Sequence, residues 1–239
     1  HMKFGITLLL TLVGFFSLAQ NAYKISYSRS YNNQESPKQD DIWVYASKEK
    51  TVISTAKNRS KALVYPIETL LVDRLSGNRL YRVTDFSAQR MLASVDSSIF
   101  AKQNFTLTEE RKTILGYACK KAITSVNSNS IEIWYTQDLG IYAAPNELGQ
   151  TLGLVLEYVR NGNTRITATA LDKLNDIPAD LAIPSSATLV DPLTYQDELW
   201  KSKFLQVPIF QDAQINFSEH STLDSIAHSP SDSILRFAH

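Results

Sequence analysis

The run ERKTILGYACKKAITSVNSNSIEIWYTQDLG, Glu110 to Gly140, holds the only cysteine of the chain, Cys119, beside a strand-like segment with Trp134. Two alternating stretches, KKAITSV and IEIWYTQDL, flank Asn127-Ser128-Asn129-Ser130. That pattern reads as a β-hairpin, because side chains in a strand repeat every second residue and Asn and Ser favour the turn. Ile131, Ile133 and Tyr135 fall on one face and Trp134 on the other.

The next segment repeats the theme. TLGLVLEYVRNGNTRITATALDKL turns at Asn161-Gly162-Asn163, a strong short-range hairpin signal. Leu152, Leu154, Leu156 and Tyr158 share a face; Val155 and Val159 lie opposite, with Gly153 and Glu157. A sheet with bulky apolar groups on both faces must be covered twice, or must cover a ligand. Upstream, AYKISYSRS alternates Tyr23, Ile25 and Tyr27 with polar neighbours. DIWVYAS, KTVIST and MLASVDSS read as further strands, and TLLVDRLSGNRLYRVTDF as a hairpin turning at Ser76-Gly77-Asn78. The charge run Glu109-Glu110-Arg111-Lys112 reads as a solvated turn or strand edge. Helix is expected only late, in DPLTYQDELWKSKF, with Asp191 as N-cap, Pro192 in the first turn, and Leu193, Leu199, Trp200 and Phe204 as its apolar face. The expected fold is mainly β: a curved antiparallel sheet or incomplete β-barrel with one or two C-terminal helices.

The chain has 239 residues, 24 basic and 24 acidic, and this balance argues against a dedicated nucleic-acid binder. The N-terminal MKFGITLLLTLVGFFSLAQ places Lys3 before an apolar run from Phe4 to Phe16 and a small-residue site, the pattern of a secretory signal peptide. The run is short for a transmembrane helix, which needs roughly 20 residues. Cleavage is expected near Ala19 or Gln20. Three segments follow: a signal peptide over 1–19, a β-rich domain over 20–175, and a C-terminal helix with a serine-rich tail over 176–239. The tail ends on SILRFAH, expected to close a sheet or to continue beyond His239. A single cysteine forms no internal disulfide, which fits a bacterial periplasm.

Specific chemical signals are absent from the sequence. Cys119 has no base near it along the chain, and it reads as a buried structural thiol. There is no G-x-S-x-G, H-E-x-x-H or glycine-rich phosphate loop. His220 and His228 lie eight apart in the tail and read as solvated. A paired-carboxylate glycosidase leaves no local motif, since its acids are distant along the chain, and nothing in the sequence points to one. No catalytic, cofactor-binding or metal-binding residue is assigned, and no cofactor is expected.

The opening stretch resembles the GLPGLI family of exported Bacteroidota proteins. Gly116, Tyr117, Cys119, Lys120, Lys121 and Ala122 match its first strand, and Trp134, Tyr135 and Thr136 its second. Pro145 stands in the following loop. Gly153, Leu154 and Leu156 keep part of the third element, with Leu152 where a proline would stand. The likeness runs from about Tyr23 to Leu174. It implies a strand pattern similar to the LolA-like incomplete barrels of periplasmic lipoprotein carriers, and it supplies no catalytic residue. The resulting expectation is a non-catalytic periplasmic interaction module, an accessory subunit of an outer-membrane complex at the inner face of that membrane, with an envelope protein as partner. Two alternatives stand beside it: a lipid or lipopeptide carrier with an apolar ligand on the concave face, and an envelope hydrolase using the tail histidines.

Overall fold

Asparagine-rich turns with left-handed backbone place the hairpins. Asn127 and Ser128 have φ of 48° and 63°, and Asn161 and Gly162 have 51° and 71°. Two consecutive positive φ values match the twist of the flanking strands. The computed structural model describes residues 22–60, 65–87 and 90–204, with backbone alone at Ser87, Arg90, Met91 and Phe204. The signal peptide expected over 1–19, the tail histidines and the final SILRFAH lie outside the described residues.

The strands are β1 (Ala22–Tyr31), β2 (Gln34–Glu35), β3 (Ile42–Ala46), β4 (Lys50–Thr55), β5 (Ile67–Asp73), β6 (Arg79–Ser87), β7 (Arg90–Asp96), β8 (Thr106–Ile114), β9 (Tyr117–Val126), β10 (Asn129–Thr136), β11 (Leu154–Arg160), β12 (Thr164–Leu174) and β13 (Thr188–Leu189). One helix, α1 (Pro192–Phe204), follows. The sheet order is β13-β7-β6-β5-β4-β3-β1-β12-β11-β10-β9-β8, with β2 beside β1. It is antiparallel except for the β13–β7 pair. Two meanders, β3 to β7 and β8 to β12, therefore join side by side through β1, which pairs with both β12 and β3. The chain passes from near one edge of the sheet to the other in the short connection between β7 and β8. The charged run Glu109 to Lys112 lies on β8, the edge strand of the second meander.

This mainly β, curved sheet with a C-terminal helix is the architecture read from the sequence. What covers its two faces is different. The inner face carries Ile25, Tyr27, Val44, Ile53, Leu70, Leu80 and Ile133 in one core. The connection between β10 and β11, residues 137–153, folds back into that core and buries Ile141, Ala143 and Ala144 there. Its backbone is held from the first meander: Thr51 Oγ1 on β4 donates to the Tyr142 carbonyl (3.0 Å), and Arg74, just after β5, donates to the Tyr142 and Gln150 carbonyls. Where the loop enters β11, Tyr27 Oη donates to the Val155 carbonyl (2.6 Å). Helix α1 caps only the β6–β7 end. Tyr195 and Leu199, one helical turn apart, pack on Leu92, and the Tyr195 hydroxyl bonds that of Thr84. Leu193, expected on the apolar face, is 79% exposed, because the turn fixed by Asp191 presents Tyr195 instead. The Asp191 carboxylate accepts from the Leu193 and Thr194 amides, both at 3.0 Å, as an N-cap should.

The outer face is covered in two ways. Over the first meander, Ile177 and Leu181 from the segment after β12 close on Tyr45, Val52 and Leu71. Lys24 stands 3.8 Å above Trp43 beside that cluster. Over the second, charged side chains form the roof, with Lys112 4.2 Å and Lys121 5.5 Å above the Trp134 ring. Long cationic side chains shield apolar surface with their stems while their ends stay hydrated. The apolar chamber that a lipid carrier needs is thus occupied by the chain's own loop, and the chain's own side chains lie over the second face.

Candidate functional site

Where the sheet fails to close, a cleft of about 320 Å3 opens in the seam. Its wall on one side comes from Arg82 on β6 and Asp96 at the end of β7; on the other it comes from Thr124, Ser125 and Val126 at the end of β9. The β7–β8 connection crosses it with Lys102, Gln103, Asn104 and Phe105, and the inner loop forms the floor with Glu147 and Leu148. Gln103 holds connection and floor together. Its Nε2 donates to the Glu147 carbonyl (2.9 Å) and its Oε1 accepts from the Gly149 amide (3.2 Å). Thr124 donates to the Asn104 carbonyl (2.7 Å), which fixes the other rim.

A buried ion pair sits at the centre. Arg82 is 7% exposed and Glu147 4%. Arg82 Nε donates to Glu147 Oε1 at 2.9 Å. Its Nη2 lies 2.9 Å from the same oxygen, an ion pair out of hydrogen-bond alignment, and finds no hydrogen-bond partner among the described residues. Burial pushes the Glu147 carboxyl up to about 7; Arg82 pulls against this and the Asp96 charge adds to it. Asp96 moves the other way. Burial works to raise it, but hydrogen bonds from Ser98 and the charge of Arg82 together hold it below the usual carboxylate range. The cleft therefore presents one ionised carboxylate and one that titrates near neutrality, the pattern that separates base from acid in many sites.

The residues singled out in the sequence lie elsewhere. Gly116 is in the β8–β9 turn, with φ of 82°. Tyr117, Cys119 and Lys120 are on β9, and Trp134, Tyr135 and Thr136 are on β10. Pro145 belongs to the inner loop, and Gly153 and Leu154 close it onto β11. None of them lines the cleft. Cys119 is fully buried and its thiol is pushed up, chiefly by that burial. Among the described residues, no group of three His, Cys, Asp or Glu could hold a metal ion. Arg82, Asp96, Gln103 and Glu147 passed unnoticed in the sequence. One signal was there: in LYRVTDF, Arg82 takes an inward position between Leu80 and Thr84.

The N-terminal domain family of N-glycanase peptide matches residues 25–197. The chain belongs to this family. Two crystal structures of PNGF-II share its fold with a TM-score of 0.72, one at 38% and the other at 37% sequence identity. Each likeness covers 76% of this chain, and 34% or 33% of PNGF-II, so the chain spans about a third of that protein. No curated protein matches the chain. These findings overturn the GLPGLI and LolA-like assignment. The residues that suggested it are a hairpin framework, Gly116 to Ala122 and Trp134 to Thr136, which serves any sheet of this curvature, while the proline of the third element was already missing at Leu152. The non-catalytic accessory or carrier role falls with it, because the matching family is the N-terminal domain of N-glycanase peptide.

Proposed function

We propose that the protein is an N-glycanase, an exported hydrolase acting on N-linked glycans, with residues 25–197 as its N-terminal domain. The family match over those residues carries the reading, and the 38% identity to PNGF-II supports it. The leader-like segment over 1–19 supports export, and we assign the protein to the periplasm. The hydrolase alternative drawn from the sequence thus becomes the main reading, without the tail histidines that motivated it.

The test is direct. The gene product carrying these residues is purified and incubated with an N-glycosylated peptide, and the products are weighed by mass spectrometry. Loss of the glycan mass from the peptide is the expected result. A glycopeptide of unchanged mass at micromolar enzyme would overturn the assignment. Fractionation of the producing cells tests the location, with the protein expected in the osmotic-shock fluid and its appearance in the cytoplasm counting against export.

A further inference from the structure

We propose that Asn146 to Gly149, at the floor of the seam cleft, form a pH-sensitive latch, closed on the sheet in mild acid and released as pH rises through neutrality. The inference stands apart from the N-glycanase reading.

The anchoring of the inner loop is the first argument. Thr51 and Arg74 hold the Tyr142 carbonyl, and Arg74 holds Gln150 as well. Asn146 to Gly149 hang between those fixed points. Outside the loop, their polar contacts among the described residues come from two side chains. Gln103 straddles the stretch through the Glu147 carbonyl and the Gly149 amide, and Arg82 holds the Glu147 carboxylate. Gln103 belongs to the β7–β8 connection, where Lys102 and Asn104 on either side of it are exposed. Leu148 is only partly buried against the core. Gly149, with φ of +84°, supplies a pivot at the end of the stretch. A segment with so few ties can open without unfolding the sheet around it.

The arrangement of charge is the second argument. Four titratable groups face Glu147: Arg82 from β6, Asp96 from the end of β7, Lys102 from the connection and Tyr195 from α1. Tyr195 stays neutral, because burial pushes its hydroxyl up. Lys102 keeps its charge in water. Asp96 is ionised and opposes a second negative charge beside it. Arg82 is thus one buried cation between two carboxylates, and it offsets only part of the hydration that an ionised Glu147 gives up. Protonated, Glu147 keeps its place at little cost. Ionised, it gains by swinging into water, and Arg82 then keeps Asp96 as its counter-charge. The closed carboxyl titrates at about 7 and a freed one near 4.5, so closing takes up a proton and acid favours the closed latch.

Native-state hydrogen exchange of the purified gene product, followed by amide NMR from pH 5 to pH 8 and corrected for intrinsic exchange rates, tests the latch. The Gly149 amide, bonded to Gln103, is the reporter, and the strand amides of β11 are the reference. The Gly149 opening constant is expected to rise on the order of 50-fold over that range, with most of the rise below pH 7.5. It should exceed the opening constants of β11 at every pH and stay unmoved by low urea, as a local opening does. Glu147→Gln should abolish the rise. A Gly149 amide that exchanges only together with β11, with the same urea dependence, would overturn the proposal, and so would an equal rise in Glu147→Gln. A titration of the Glu147 carboxyl carbon in the wild type needs no variant: a midpoint near 7 is expected, and one near 4.5 would overturn the latch.

Discussion

The inner and outer faces of the sheet each bury one glutamate, and the two differ in where their cations lie. Glu147, inside, is 4% exposed and meets Arg82, whose side chain is itself only 8% exposed. Glu157, outside on β11, is 6% exposed but meets Lys112 and Arg165, whose side chains are 31% and 41% exposed. Burial of the acid is nearly the same; hydration of its partners is not. An ion pair whose cation is also out of water loses solvation on both sides, and Coulomb attraction offsets little of that. The Glu147 carboxyl responds by rising to about 7. Glu157 shares two cations that keep contact with water, and it works as a keystone in the charged roof above Trp134. The same residue type thus sits in a dry ion pair on one face and in a hydrated charged cover on the other.

The inner arrangement depends on the loop that delivers Glu147, and the largest effect should come from breaking its closure. Gly153 has φ of +143°, and a Cβ there would stand 2.4 Å from the Thr136 carbonyl oxygen. Neither backbone can move without opening the β10–β11 ladder. Gly153→Ala should cost about 4 kcal/mol, the sum of an unfavourable backbone region and a clash. The reading is a lower urea midpoint at constant slope. An unchanged midpoint would mean that the loop is not anchored there. Next comes Arg82→Met, which leaves the buried acid alone and should cost about 3 kcal/mol at pH 8. At pH 5 the loss should shrink to about 1 kcal/mol, because Glu147 can then take a proton. Adding Glu147→Gln should recover most of the pH 8 loss.

Wild-type stability should carry the same signature. The folded carboxyl of Glu147 titrates at about 7 and the unfolded one near 4.5, so the folded chain holds this proton more tightly. The contribution is complete below 4.5 and is lost as pH rises through 7, by at most roughly 3 kcal/mol. Asp73 and Asp96 have the opposite sign. Their folded carboxyls are held low, and their contribution fades as pH falls through the acid range. Urea midpoints should therefore fall between pH 5 and 8 in the wild type and stay level over that span in Glu147→Gln. An equal fall in both proteins would trace the slope to another group.

The framework was legible because it follows local rules. Asn127-Ser128 and Asn161-Gly162 announce their turns, and Ile131, Ile133, Leu154 and Leu156 announce their strands by alternation. Asp191 announces the helix. The site followed no local rule. Arg82 and Glu147 are 65 residues apart, and they meet because a loop with no periodicity folds inward. Even there the backbone left a trace, since Gly149 and Gly153 both take positive φ in the loop that the sequence shows only as a proline-containing connection. The covering of the second face was missed for another reason. Bulky residues on a second face can be covered by lysine stems as well as by a helix, a lipid or a partner, and Trp43 and Trp134 lie under such stems.

On the outer face the effects should be smaller. Glu157→Gln removes the shared acid but leaves Lys112 and Arg165 free to turn into water, so the expected cost is about 1 kcal/mol. A cost matching that of Arg82→Met at pH 8 would erase the distinction between the faces.

The smallest effect separates charge from cover. Lys112 acts on Trp134 in two ways, by its ammonium 4.2 Å above the ring and by the stem that keeps water off it. Lys112→Met keeps most of the stem and removes the charge, and should cost about 0.5 kcal/mol, the value of a partly exposed cation–π contact. Lys112→Ala removes both and should cost about 1 kcal/mol, with the tryptophan emission shifted to the red as water reaches Trp134. If the methionine variant costs as much as the alanine one and its emission stays put, the charge carries the interaction. If methionine costs nothing and alanine shifts the emission, the roof is a matter of hydrocarbon coverage, and its lysines are there to keep that hydrocarbon soluble.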